Sequence, residues 1–261
     1  MQPADIGRLV TVADPKVSPD GCRVAFVVTR VDLEANRYRS TVWLAAADGS
    51  SLPYPLTSGE HGDGQPAWSP DGRRLAFQGT DQCEPSVPCS YLYTVRRNGT
   101  GLHRVTDRGA AVPAWSSTGT IAFRGGAADV LFGVRPNGSR LRRLLAPPDQ
   151  GSYDPDWSPD GSQLVFAAPA HEFGDTQHIF TARADGSRLS RLTDLEGRGG
   201  TSPVWSPDGR YIAFIRNGED LYVMRSNGRR ERRIVNVGMD PDFPSAPYTE
   251  LSAPAWQPLP R

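Results

Sequence analysis

Trp68-Ser69-Pro70-Asp71-Gly72 opens a unit that the chain writes five times. The other openings are Val17-Ser18-Pro19-Asp20-Gly21, Trp115-Ser116-Ser117-Thr118-Gly119, Trp157-Ser158-Pro159-Asp160-Gly161 and Trp205-Ser206-Pro207-Asp208-Gly209. A sixth, Pro254-Ala255-Trp256-Gln257, has no unit behind it. The glycines stand at 21, 72, 119, 161 and 209, a period of about forty to fifty residues, the length of a four-stranded propeller blade. In such a turn proline presets φ, aspartate bonds nearby backbone, and glycine accepts positive φ without a Cβ clash.

Working outward from Trp68, Pro66-Ala67-Trp68 reads as an inner strand a, and Leu75 and Phe77 share one face of strand b at period two. Tyr91–Val95 is strand c, Asn98-Gly99 is a hairpin signal, and Leu102–Thr106 is the outer strand d. The grammar recurs as Phe26, Phe77, Phe123, Phe166 and Phe214 in strand b. It recurs again as Asp48-Gly49, Asn98-Gly99, Asn137-Gly138, Asp185-Gly186 and Asn227-Gly228 between c and d. The pattern predicts an all-β propeller of four-stranded antiparallel blades, with five full repeats and a terminal closing strand. That means five blades, or six with one degenerate. As a single domain its repeats run approximately 14–65, 66–112, 113–154, 155–202 and 203–253, with the closing strand at 254–261. One Trp and one Phe per unit are expected to fill the gaps between radially packed sheets. Arg8-Leu9-Val10-Thr11 reads as a strand d that helps close the ring. The arginine runs 140–143 and 229–233 fall on outer strands, where charge blunts an exposed sheet edge.

Lys+Arg and Asp+Glu number 29 each, so the summed charge offers no pull on nucleic acid or an anionic membrane. No stretch has the apolar length of a transmembrane helix. Met1–Arg8 shows no basic leader followed by an apolar run, so the expected location is cytoplasmic. Cys83 and Cys89 flank one loop, and the missing leader favours two free thiols there over a disulfide. Cys22 reads as a small strand residue.

The repeated Trp-Ser-Pro-Asp-Gly turn, followed by Leu-Ala-Phe and Asp-Gly, resembles the TolB-like repeats also called PD40 or WD40-like. The opening is more particular. Asp14–Gly21, Val24–Arg30 and Asn36–Ser40 resemble the N-terminal propeller of acylaminoacyl peptidases, of the prolyl oligopeptidase family. That resemblance implies a propeller capping a serine hydrolase domain and screening its substrates by size. The chain departs from it, with no Gly-x-Ser-x-Gly and no following α/β alternation to hold a triad, so no catalytic residue carries over. The ending Trp256-Gln257-Pro258-Leu259-Pro260 looks like the close of a free-standing propeller of this kind.

Propeller topology sets the short a–b and c–d turns on one face and the variable b–c and d–a loops on the other, and variable loops on a rigid scaffold are where binding sits. The candidate ligand face gathers Arg37, His61, Asp63, Tyr153, Asp154, Arg216 and Asp242, with the cluster His171, Glu172, Asp175 and His178. His171, Asp175 and His178 are weak metal candidates, because their spacing matches no helical ligand motif. No cofactor is implied. The leading expectation is a non-catalytic binding or scaffold module for a peptide, protein or small ligand. One alternative is a stand-alone peptidase-type propeller acting with a separate α/β-hydrolase. Another is a propeller hydrolase or lyase with a metal-assisted site on the loop face.

Overall fold

The structure, a computed structural model, describes residues 10–60, 62–84, 87–107, 109–126, 129–145, 151, 153–169, 176–193, 199–216, 220–236, 254 and 256. Every regular element among them is a strand. The first sheet joins β1 (Val10–Val17), β2 (Arg23–Asp32), β3 (Arg37–Ala46) and β4 (Tyr54–Pro55). The second joins β5 (Gly64–Trp68), β6 (Arg74–Glu84), β7 (Val87–Arg96) and β8 (His103–Arg104). The third has β9 (Ala110–Trp115), β10 (Ile121–Gly125), β11 (Val130–Val134) and β12 (Arg142–Arg143). In the fourth are β13 (Tyr153–Trp157), β14 (Gln163–Pro169), β15 (Gln177–Arg183) and β16 (Ser190–Arg191). The fifth holds β17 (Thr201–Trp205), β18 (Tyr211–Arg216), β19 (Asp220–Arg225) and β20 (Arg232–Asn236). All neighbouring strands run antiparallel in sequence order, giving the five blades of a β-propeller.

The repeated turn folds as its chemistry requires. Ser69 Oγ donates to Asp71 Oδ1 at 2.6 Å, and the same carboxylate oxygen accepts the Arg73 N–H at 3.0 Å. Ser158–Asp160 and Ser206–Asp208 repeat the pair at 2.6 Å. Hydrogen bonds from these serines hold the carboxyls of Asp71, Asp160 and Asp208 below the usual carboxylate range. The third turn lacks Asp; there the Ser116 and Thr118 hydroxyls meet at 2.9 Å and Ser116 Oγ accepts the Thr118 N–H.

The aromatics fill the gaps between blades. Phe77 stacks on Tyr93, Phe123 on Phe132, Phe166 on Phe180 and Phe214 on Tyr222, with centroids 5.6–5.9 Å apart. Trp68, Trp157 and Trp205 are buried beside them. The Trp68 indole N–H donates to the Lys16 carbonyl at 2.9 Å and that of Trp157 to Ala114 at 3.2 Å, each tying its blade to the one before.

Four such cores join the five blades: first to second, second to third, third to fourth and fourth to fifth. Among the described residues no equivalent core joins the fifth to the first. The hairpin glycines tell the same story. A Cβ on Gly138, Gly186 or Gly228 would press on the carbonyl just past the outer strand of the preceding blade (Val105, Leu144 or Leu192), and one on Gly99 would touch that of Leu56, whereas Gly49 of the first blade faces open space. Trp256 takes the inner-strand tryptophan's seat on the fifth blade, donating to the Val204 carbonyl at 3.3 Å. The rest of the expected closing strand lies outside the described residues.

Three local expectations are corrected. Val10 and Thr11 are not an outer strand; they extend the inner strand β1 and pair with Arg30 and Thr29, because β2 and β3 form a hairpin long enough to carry a longer partner. The stretch between Cys83 and Cys89 is not an open loop, since β6 runs to Glu84 and β7 starts at Val87, in register from Asp81–Cys89 downward. Cys89 is disulfide-bonded, against the expectation of a free thiol, and Cys22 is free and exposed.

Candidate binding channel

The inner strands share a second motif, Asp14-Pro15-Lys16, Gln65-Pro66-Ala67, Val112-Pro113-Ala114, Asp154-Pro155-Asp156 and Ser202-Pro203-Val204. The residue before each proline has φ of 51–53°, in the left-handed region. Side chains disfavour that region, and a following proline pushes its neighbour toward extended backbone instead. A register shift in all five inner-strand ladders falls at this residue, so each strand carries a bulge of one extra residue. The bulge re-aims this residue and the one after the proline toward the axis. Both line a central cavity of about 590 Å³.

Most lining positions are small or apolar. Among the described residues the charged exceptions lie in two blades, with Asp14 and Lys16 in the first and Asp154 and Asp156 in the fourth. Lys16 is the sole lysine of the chain. Neighbouring blades are stitched around the ring at this level. Gln65 Oε1 accepts the Val112 N–H at 2.8 Å, Ser202 Oγ donates to Asp154 Oδ2 at 3.0 Å, and Asp156 Oδ2 accepts the Trp205 N–H at 2.7 Å. Burial pushes the Asp156 carboxyl up to about 6, against the opposing pull of the Trp205 N–H and of the Lys16 charge. The indole N–H of Trp205 is buried with no partner among the described residues. The channel can therefore offer carboxylate acceptors and one ammonium to a polar ligand.

A second cavity, of about 630 Å³, lies on the open face of the first blade against Val28, Val31, Thr41, Trp43 and Pro55. Its lip carries the Asp32–Arg39 ion pair at 2.5 Å, and the Arg30 guanidinium lies 5.7 Å from the Trp43 ring centroid.

Of the residues singled out from sequence, Asp154 lies in the channel. Tyr153 is half-buried against the core between the fourth and fifth blades, with the Arg124 guanidinium 4.9 Å from its ring centroid. Arg37 stands exposed at the start of β3. Asp63, His178 and Arg216 are buried rather than displayed on open loops. The Asp63 N–H donates to the Ser40 carbonyl at 3.0 Å, and His178 Nδ1 lies 3.3 Å from Thr193 Oγ1. Arg216 forks onto both Glu231 oxygens, donates to the Gly199 carbonyl at 3.2 Å and lies 4.4 Å from the Tyr222 ring centroid. His61, His171, Glu172, Asp175 and Asp242 lie outside the described residues. Asp14, Lys16, Gln65, Asp156 and Ser202 were missed. For Asp14, Lys16 and Asp156 the signal was the charged residue flanking a repeated proline in two units alone; Gln65 and Ser202 carried none.

No family model matches the chain. It is 30% identical over 212 residues to the uncharacterized peptidase YuxL of Bacillus subtilis, covering 66% of this chain and 31% of that protein. It is 30% identical over 180 residues to a TolB homolog of Chlorobium luteolum, covering 67% and 36% respectively. The chain thus spans about a third of the length of these curated relatives. Among solved structures, a putative TolB from Agrobacterium tumefaciens superposes with TM-score 0.72 at 19% identity, over 95% of this chain and 86% of that one. A puromycin hydrolase superposes with TM-score 0.69 at 15% identity, over 90% of this chain and 39% of that one. The resemblance read from the repeats stands, and the fold is that of TolB-like and peptidase-type propellers.

Proposed function

We propose that this chain is a non-catalytic binding module that receives an extended segment of a peptide or protein partner at its central channel and the loops around it. The observation carrying this reading is the asymmetry of the channel. Five blades repeat one backbone, yet among the described residues charge enters the lining through Asp14, Lys16, Asp154 and Asp156 alone. Structural need would repeat with the blades; recognition need not. A rigid ring that presents a few polar groups at fixed positions binds with little ordering cost.

The test is affinity capture from the native host, comparing wild type with Asp154→Asn/Lys16→Gln. The expected result is a partner retained by wild type and lost by the variant at unchanged melting temperature. Equal capture by both proteins would sink the reading.

A second reading, as the propeller part of a peptidase system acting with a separate hydrolase domain, is supported by the relative described as a peptidase and by the chain matching about a third of it. Co-purification with an α/β-hydrolase, and a change in that enzyme's size selectivity when the propeller is added, separates this reading from the first.

A further inference from the structure

The summed charge is zero, but the c–d hairpins are strongly basic, while the aspartates of the a–b turns on the same face are each held by the serine of their own turn. The c–d hairpins of blades two to five are built on one template, in which a backbone N–H at the end of strand c donates to a carbonyl across the turn. Arg96 donates to Thr100, Arg135 to Ser139, Arg183 to Ser187 and Arg225 to Arg229. Three residues before each hairpin glycine of blades two to five stands an arginine, and five residues after it stands another. Residues 135–143, 183–191 and 225–233 hold twelve arginines against two carboxylates, Asp185 and Glu231. Glu231 is already spent on Arg216, and eleven of the twelve arginines are exposed.

Blunting of sheet edges does not account for this. The outer strands β8, β12 and β16 are two residues long and present little edge, and Arg140, Arg188 and Arg230 sit in the turns, at φ of 55–58°. A second regularity accompanies the charge. The third residue after the hairpin glycine is an exposed leucine in four blades: Leu52 (88%), Leu102 (52%), Leu141 (58%) and Leu189 (57%). Single exposed leucines are ordinary, but one at the same position of four rotationally related blades forms a ring at one level. The hairpins of blades two to five are contiguous, since each of their glycines rests on the preceding blade and Arg142 Nη2 reaches the Ala184 carbonyl at 2.9 Å.

We propose that this rim is a docking surface for an anionic phospholipid membrane, with the arginines meeting headgroup phosphates and the leucines entering the interface. Charge complementarity alone would serve any polyanion. The leucine ring is what favours lipid, because a nucleic-acid backbone gives it nothing to enter, whereas interfacial binding combines apolar contact with cationic attraction.

The test is co-sedimentation of the whole chain with phosphatidylcholine vesicles, with or without phosphatidylglycerol. Expected is binding to the anionic vesicles alone, weakened by salt, and by about fivefold for each arginine removed in Arg188→Gln and Arg191→Gln. Leu141→Ser/Leu189→Ser, both exposed, should lose binding at unchanged melting temperature. The proposal is overturned if wild type ignores anionic vesicles, or if the leucine pair binds as well as wild type. Duplex DNA held more tightly than the vesicles, or sedimentation arising from self-association, would overturn it too.

Discussion

Asp156 Oδ2 accepts the backbone N–H of Trp205 at 2.7 Å, so one channel carboxylate clamps the fourth blade to the fifth. Its carboxyl is pushed up to about 6 by burial, from 3.8. A carboxyl raised in the folded state stabilises the fold fully below its unfolded value, and that contribution is lost as pH rises through the folded one. Asp156→Asn keeps an acceptor for Trp205 and removes the titration. The variant should therefore gain on wild type across the window from about pH 4 to pH 7. The gain should level off at about 2 kcal/mol, less than the full shift implies because the side chain is half-open to the channel. Melting temperature against pH checks this, and parallel curves would refute it. Asp20, Asp71, Asp160 and Asp208 act in the opposite sense, being held low by serine hydroxyls and losing their contribution as pH falls.

Gly186 and Gly49 occupy the same hairpin position, at φ +85° and +70°. A Cβ at Gly186 would fall 2.0 Å from the Leu144 carbonyl oxygen, while one at Gly49 meets nothing within 4 Å. Gly49→Ala should cost about 1–2 kcal/mol, the left-handed penalty alone. Gly186→Ala should cost clearly more, because the fourth blade must move off the third. Chemical denaturation of both variants measures the difference, and equal losses would mean that the blades do not press together here.

Cys89 is disulfide-bonded and Cys22 is a free, exposed thiol. Alkylation of the unreduced protein from its native host should add one label, on Cys22, and reduction in denaturant should raise the count to three. A disulfide persists in oxidising compartments and is rare in the cytosol. Three labels without reduction would mean that Cys89 is a free thiol in the native host.

What was legible in the sequence was what is local. Ser-Pro-Asp-Gly makes its turn from its own side chains and backbone, and Asn137-Gly138 makes its hairpin in the same way, so the repeat and its strand order followed, while five blades or six stayed open. The channel was hidden because its geometry contradicts a local rule. Val112 and Asp154 stand before prolines yet adopt positive φ, and without that bulge nothing says that Asp156 faces the axis. His178 and Arg216 looked like loop chemistry because strand ends are hard to place from pattern. Both are built into strands and buried. The equal totals of acidic and basic residues concealed where each sign sits, which the repeat spacing alone would have revealed.

Arg216 illustrates how a charge can be consumed by the fold. Its guanidinium lies beside the stacked Phe214 and Tyr222 rings and is forked by Glu231, in a pair mostly closed to water. Removing one partner leaves the other buried and uncompensated, a loss of about 3–5 kcal/mol in fully buried pairs. Glu231 keeps some exposure, so Glu231→Gln should cost about 2 kcal/mol. Asp220→Asn, which breaks the looser 3.7 Å pair with the half-exposed Arg233, should cost less than about 1 kcal/mol. Urea unfolding of the two variants ranks them. Were Asp220→Asn the more damaging, Arg216 would be free enough to serve the ligand face instead.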